Sequence, residues 1–347
     1  MNSKKRLHIV VIKTDGIGDA ILASPFLFEL RKNFKNAFIT GILSPAGKEV
    51  LELLNIFDDI KVFDPQWLKY KKVFFIKRWL SAIQLLLLIN KIKPDMAIAM
   101  RWQDRLTSFV LSLCNATRKI GYDVGGMGFG IDVKVPLQTG VHAIYKNLNL
   151  LSYILPGKKF KVKLGMSVDR PAINRIKQIL KKNKFKKYIV IHPVSGHISK
   201  DWGIERYKRL IEMLSKRFKV VVIGGKDDKN INLKSGKNIM NLTGLLSIKE
   251  IAALIKYSYF VIGNDSAAVH MASVFNIKSL TLFSGTADIR EWKAWGKNSY
   301  VMIKSVKCAV CGLAFCNQKE HYCMTFTPEQ VVKKIMGILK KTVKKDI

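Results

Sequence analysis

Acidic residues are scarce in this chain: 25 Asp and Glu stand against 60 Lys and Arg, a formal net charge of +35 over 347 residues. The imbalance says nothing of the fold, but it narrows the partners to polyanions: nucleic acid, an anionic membrane or a phosphorylated substrate. Long apolar runs are lacking too. The most apolar stretch, residues 79–90, is bounded by Arg78 and Lys91 and falls far short of the ~20 residues that span a bilayer. It reads as a buried helix or as one lying at a membrane surface. The basic start is followed only by the short apolar run 9–12 before Lys13, too little for a secretion signal. There is no solenoid-length repeat and no low-complexity segment. A hydrophobic content of 48% excludes disorder. The expectation is a cytoplasmic protein, peripheral to the inner face of a membrane.

What is present is alternation. The patterning predicts strands over 7–13, 38–43, 60–63, 96–100 and 119–122, with helices over 19–34, 47–54, 75–91 and 106–114 between and after them. A helix over 142–155 leads to Pro156-Gly157 and a lysine-rich stretch, and the domain boundary is placed there. The pattern then restarts, with strands over 188–191, 220–223, 259–262 and 279–283 and helices over 204–218, 248–256 and 267–275. The reading is an α/β fold of two doubly wound parallel sheets. Residues 1–157 form the first domain, 158–327 the second, and 328–347 a final helix and basic tail. Ligands of such sheets bind outside the strand carboxyl ends.

The most informative segment runs from Gly263 through Asn264, Asp265, Ser266, Ala267, Ala268, Val269 and His270 to Ala272. An apolar strand enters it and a small-residue helix leaves. Free amides at that helix start suit an anion such as a diphosphate, and Asp265, Ser266 and His270 add polar groups at the same mouth. The loop from His192 to Trp202 ends another strand. There Ser195 and Gly196 offer a hydroxyl and an open backbone N–H, and Lys200 a compact positive charge; a plain surface lysine is the other reading. Asp228, after Gly224-Gly225, suits a ribose hydroxyl or a helix cap. The first strand ends in Lys13-Thr14-Asp15-Gly16-Ile17-Gly18-Asp19. A dinucleotide fingerprint would need a third glycine where Ile21 stands and an acid after the second strand, which ends Leu43-Ser44. A nicotinamide-dependent nucleotide-sugar enzyme is therefore disfavoured. Asp19 remains as a general base facing a ligand or as a helix cap, and Asp15 as a second candidate base or, the preferred reading, a turn residue.

Four of the five cysteines crowd together as Cys308-x2-Cys311-x4-Cys316-x6-Cys323. A structural zinc is one reading and reduced thiols packing a loop the other. No Asp-x-Asp metal motif stands on a strand-end loop, so no cofactor is expected for the chemistry itself. Arg101 and Arg105 follow a strand end and, with Lys71 and Lys72 in a basic-aromatic run, are candidates to grip acidic sugars. A helix-turn-helix or aromatic RNA platform is missing, which argues against a basic nucleic-acid-binding protein.

The ordered set of these motifs resembles glycosyltransferase family nine, the ADP-heptose:lipopolysaccharide heptosyltransferases, almost end to end. The resemblance implies a GT-B fold, two Rossmann-like domains facing across a cleft, and an inverting transferase. It matches Asp19 to the base, Lys200 to the lysine that holds donor phosphates, Asp265, Ser266 and His270 to the donor motif, and Asp228 to the acid that meets the ribose. Ala267 stands where many members have glycine. The implied partners are a nucleotide-sugar donor, an acidic lipid-linked sugar acceptor and an anionic membrane surface, with no nucleic acid.

Overall fold

A computed structural model describes residues 6–68, 75–225, 228, 231 and 233–343. The chain divides into two units, Met1–Ser167 and Val168–Ile347.

In the first unit β1 (His8–Lys13), α1 (Ile17–Asn33), β2 (Phe38–Leu43), α2 (Pro45–Leu51) and β3 (Asp59–Val62) form one half of a doubly wound layer. The other half comprises α3 (Phe75–Ile92), β4 (Met96–Ala99), α4 (Arg105–Leu113), β5 (Arg118–Gly121) and β6 (Val133–Lys134), followed by α5 (Ala143–Ile154). The sheet is wholly parallel and ordered β3-β2-β1-β4-β5-β6. Val10 lies opposite Thr40 on one side and Ala97 on the other. Central parallel strands are covered on both faces and read as unbroken apolar runs: Ile9, Val10, Val11 and Ile12 are all buried. On one face Val10, Ile12 and Ile42 pack against Leu85 and Ile89 of α3.

The second unit comprises α6 (Arg170–Lys182), β7 (Tyr188–His192), α7 (Ile204–Ser215), β8 (Lys219–Val222), β9 (Ile239–Asn241), α8 (Ile248–Lys256), β10 (Phe260–Asn264), α9 (Ala267–Val274), β11 (Ser279–Phe283), α10 (Ile289–Trp292), β12 (Ser299–Ile303) and α11 (Pro328–Val343). Its sheet runs β9-β8-β7-β10-β11-β12. Counted from each unit's own first strand, both sheets have the order 3-2-1-4-5-6, the Rossmann arrangement. Each order reverses at one place, between β1 and β4 in the first unit and between β7 and β10 in the second.

Two boundaries differ from the expectation. The first unit extends ten residues past Gly157, to Ser167. The chain does turn at Gly157, whose φ is +77°, but it then runs back along the same unit. Lys158 Nζ donates to Asn33, Gly165 N–H to Ser24 Oγ, and Ser167 N–H to the Val50 carbonyl. The terminal helix is not a separate piece. Val331, Ile335 and Ile338 of α11 share the core of the second unit with Leu210 and Leu214 of α7. Among the described residues, no helix is long and apolar enough to cross a membrane.

Candidate active site

Each unit gathers its chemistry-bearing residues at its own point of strand-order reversal. In the second unit, β7 and β10 lie side by side and both end there. Gly263 makes this approach possible: a Cβ on it would stand 3.1 Å from the His192 carbonyl oxygen. Beyond β10, Ser266 is the N-cap of α9 and makes no side-chain capping bond. Its hydroxyl instead lies 2.9 Å from His192 Nδ1. The first amides of α9 thus lack a side-chain cap, which suits an anion.

Asp265 is the hub of this end. Lys200 Nζ donates to its Oδ2 at 2.6 Å, and His270 Nε2 stands 3.8 Å from Oδ1. Asp265 and His270 are both buried, and His270 Nδ1 has no partner among the described residues. Burial pushes the His270 imidazole below its ordinary pKa; Asp265 pulls it the other way, and Lys200 adds to the lowering. Burial also takes His192 down to about 4. Both rings are neutral near pH 7, so the positive charge of this mouth comes from Lys200 and the helix start.

The turn carrying Lys200 is held from two sides. Ser199 N–H donates to the Ala314 carbonyl and Ser199 Oγ to Leu313. Ser195 Oγ stands 2.7 Å from Asp201 Oδ1 and 2.6 Å from the His197 carbonyl, so its single proton is committed within the loop. Asp201 also accepts from Asn264 Nδ2, and Tyr207 OH donates to Asn264 Oδ1. Ser195 therefore shapes the loop, while exposed Gly196 leaves open space beside its backbone. Asn264, Asp201, Tyr207 and His192 are the supporting residues that spacing did not single out. Asp228 accepts from the Gly225 N–H at 2.7 Å and so closes its own turn. Ala267 opens α9.

In the first unit the end of β1 carries a buried charge cluster. Asp15 pairs with Lys13 at 2.7 Å and with Arg101, which follows β4. Arg101 also lies 3.6 Å from Asp104. Burial lowers Lys13 to about 8 despite the opposing pull of Asp19, and Arg101 lowers it further. Asp15 is thus the counter-ion of buried Lys13 and half-buried Arg101 rather than a plain turn residue. Arg101 is half-buried, with its Nη1 on Asp15. Asp19 sits in the first turn of α1, half-buried. The cap position is taken by Gly16, so the capping alternative for Asp19 falls away. Arg105 is exposed at the start of α4, its guanidinium against Gly125. Lys71 and Lys72 lie outside the described residues.

The four clustered cysteines and His321 line one cavity beside Ser199. Cys311 and Cys316 are exposed while Cys323 is buried. Burial raises the Cys323 thiol, reinforced by Cys308 and Cys316. Among the described residues no three His, Cys, Asp or Glu side chains converge closely enough to hold an ion. The cysteines share a cavity without forming the tetrahedral set that zinc takes.

A family model described as glycosyltransferase family 9 (heptosyltransferase) matches residues 88–321. Lipopolysaccharide heptosyltransferase 3 of Escherichia coli is 25% identical over 297 residues, covering 81% of this chain and 84% of that protein. Among solved structures, a glycosyl transferase family 9 protein from Veillonella parvula shares the fold at a TM-score of 0.79 and 18% identity, over 96% of this chain and 98% of that one. An E. coli heptosyltransferase, WaaC, solved with ADP-2-deoxy-2-fluoro heptose, aligns at a TM-score of 0.67 and 15% identity, over 95% and 99%.

Proposed function

Because this chain belongs to glycosyltransferase family 9, the heptosyltransferases, we propose that it moves a heptose from ADP-heptose to the sugar core of a lipopolysaccharide acceptor. The observation that carries the donor half is the mouth of the second unit, where the start of α9 lies beside Lys200, with neutral His270 behind it. Those groups suit a diphosphate whose negative charge grows as the sugar leaves. The names of the relatives, and the ADP-sugar bound in one solved neighbour, support the same donor and acceptor.

In this reading the reaction is one displacement with inversion. Asp19 takes the proton from the acceptor hydroxyl as that oxygen attacks the anomeric carbon. The bond to the diphosphate oxygen breaks, and ADP departs toward Lys200 and the amides of Ser266 to Val269. Asp228 offers its carboxylate to a ribose hydroxyl. Arg105 is an exposed candidate cation for an acidic acceptor, and the Asp15–Arg101–Lys13 cluster stands at the end of β1, ahead of Asp19 in the chain. No step passes through a metal or other cofactor. The acceptor's lipid anchor places the enzyme at the cytoplasmic face of the inner membrane.

Melting temperatures with ADP, UDP, NAD and duplex DNA, followed by transfer from ADP-heptose to a heptose-deficient lipopolysaccharide core, test the reading. Stabilisation by ADP with transfer to that core is expected. Stabilisation by duplex DNA alone, or by NAD alone, would overturn it.

A further inference from the structure

The helix α3 has two apolar faces, and only one of them is used. Ser81, Ala82, Leu85 and Ile89 face the core and are buried. Ile76, Leu80, Ile83 and Leu87 are exposed by 69%, 53%, 49% and 61%. Their spacing of four, three and four residues puts them on one stripe, roughly a 60° arc at 100° per residue, opposite the buried one. The stripe does not end at the helix. Phe75, Trp79, Phe109 of α4 and Phe129 form a chain of ring contacts with centroids 6.0, 5.3 and 6.3 Å apart, and Phe75 and Phe129 are themselves largely exposed. A contiguous apolar surface of this kind marks a binding face rather than scattered surface residues.

The charge around it points to one class of partner. Lys77 and Arg78 are exposed in the first turn of α3, Lys91 and Lys93 are exposed at its end, and the helix contains no acidic residue. We propose that this face docks the protein on an anionic lipid surface, with α3 lying parallel to it. Its apolar stripe would enter the headgroup boundary and its terminal cations would meet phosphate groups, the arrangement that holds interfacial helices. A second copy of the chain is a poorer occupant, because it would set the same four cations of another +35 molecule against these. The inference deepens the proposed function, since it names the surface that presents a lipid-linked acceptor, but its test does not use the transfer reaction.

The experiment is sedimentation of the full-length protein with vesicles of phosphatidylcholine alone and of phosphatidylcholine with phosphatidylglycerol. Two variants accompany it, Leu80→Gln/Ile83→Gln/Leu87→Gln and Lys77→Glu/Arg78→Glu. The wild type is expected to sediment with the anionic vesicles and to bind the neutral ones weakly. Each variant should lose about tenfold or more of the partition while keeping its melting temperature and its ADP affinity. Equal partition of wild type and apolar-face variant would overturn the proposal. So would a wild type that ignores vesicles yet forms a dimer that the apolar-face variant breaks, which would assign the face to a second copy. Unchanged ADP affinity in either case would leave the transferase reading standing while the docking proposal fell.

Discussion

Lys200 and Asp265, 65 residues apart in sequence, meet in a 2.6 Å ion pair in which the carboxylate is almost wholly buried and the lysine retains 22% exposure. The pair holds the lysine at the mouth of the second unit while leaving protons on its ammonium for a guest. Removing the lysine leaves a buried carboxylate without a counter-ion, which costs about 3 kcal/mol. Lys200→Ala should therefore lower both thermal stability and ADP affinity, the latter by about tenfold or more for a lost charge-assisted contact. Adding Asp265→Asn should restore much of the stability and none of the affinity. Calorimetric titration with ADP checks the second effect, and wild-type affinity in the single variant would remove Lys200 from the donor site.

The acid sensitivity of the second unit should be set in part by His192. Its pKa is taken from an ordinary 6.5 to about 4 by burial. Between those values the unfolded chain binds a proton that the folded one refuses, so stability rises with pH across the window and is lost as pH falls through it. The full effect is about 3 kcal/mol. Melts at several pH values should show a decline beginning near pH 6.5, and His192→Asn should flatten it. An unaltered decline in the variant would mean that other groups set the acid limb.

Two glycines beside the donor mouth should respond differently. A Cβ on Gly263 would press on the backbone of β7 at 3.1 Å, and overpacking of this kind costs about 1–3 kcal/mol. A Cβ on Gly196 would touch nothing within 4 Å. Gly263→Ala is expected to destabilise the protein and disturb ADP binding, whereas Gly196→Ala should melt as the wild type does. Equal melting temperatures would show that the two sheet ends part more easily than their packing suggests.

The sequence was legible where burial is continuous. β1, β2, β4, β7 and β10 are apolar because both their faces are covered, and runs such as Ile9 to Ile12 announce that directly. The edge strands β6 and β12 escaped notice, one only two residues long and the other half-exposed throughout. α6 was hidden by its own lysines, since only Ala172, Ile176 and Leu180 on one narrow face meet the core. In the site, the strand–turn–helix around Asp265 was readable as an anion mouth because small residues and polar groups stand together there. The pairings Lys200–Asp265 and Arg101–Asp15 were not, because they join strand ends that only the sheet order brings side by side. The misjudged boundary has a similar cause: Pro156-Gly157 is a real turn, but a turn in sequence does not tell which unit the next ten residues pack on.

The charge cluster at the end of β1 makes a prediction about unequal partners. Asp15 is the carboxylate paired with both Lys13 and Arg101, two cations with little access to water. Asp15→Asn would remove the carboxylate nearest to both, leaving Arg101 only Asp104 at 3.6 Å and Lys13 only the pull of Asp19, and should cost about 3 kcal/mol. Lys13→Met removes one buried charge and leaves the Asp15–Arg101 pair intact, so its loss should be much smaller. Urea unfolding of the two variants decides the matter, and equal losses would mean that Asp15 does not serve both cations.

Asp19 acts on Lys13 of that cluster through charge but is not one of its ion-paired carboxylates. It occupies the first turn of α1, where the amide dipoles favour a carboxylate, and Gly16 rather than Asp19 takes the cap. Its replacement by asparagine keeps the shape and removes the capacity to accept a proton. Asp19→Asn should therefore fold with a melting temperature close to that of the wild type and bind ADP with the same affinity. Transfer to the acceptor should fall by about 10²–10⁴-fold, the range that general-base catalysis supplies. A loss of ADP binding in parallel would make Asp19 a donor-site residue instead. Undiminished transfer would leave the acceptor's proton to another group, and Asp15, the other carboxylate of the loop after β1, is already paired with two cations.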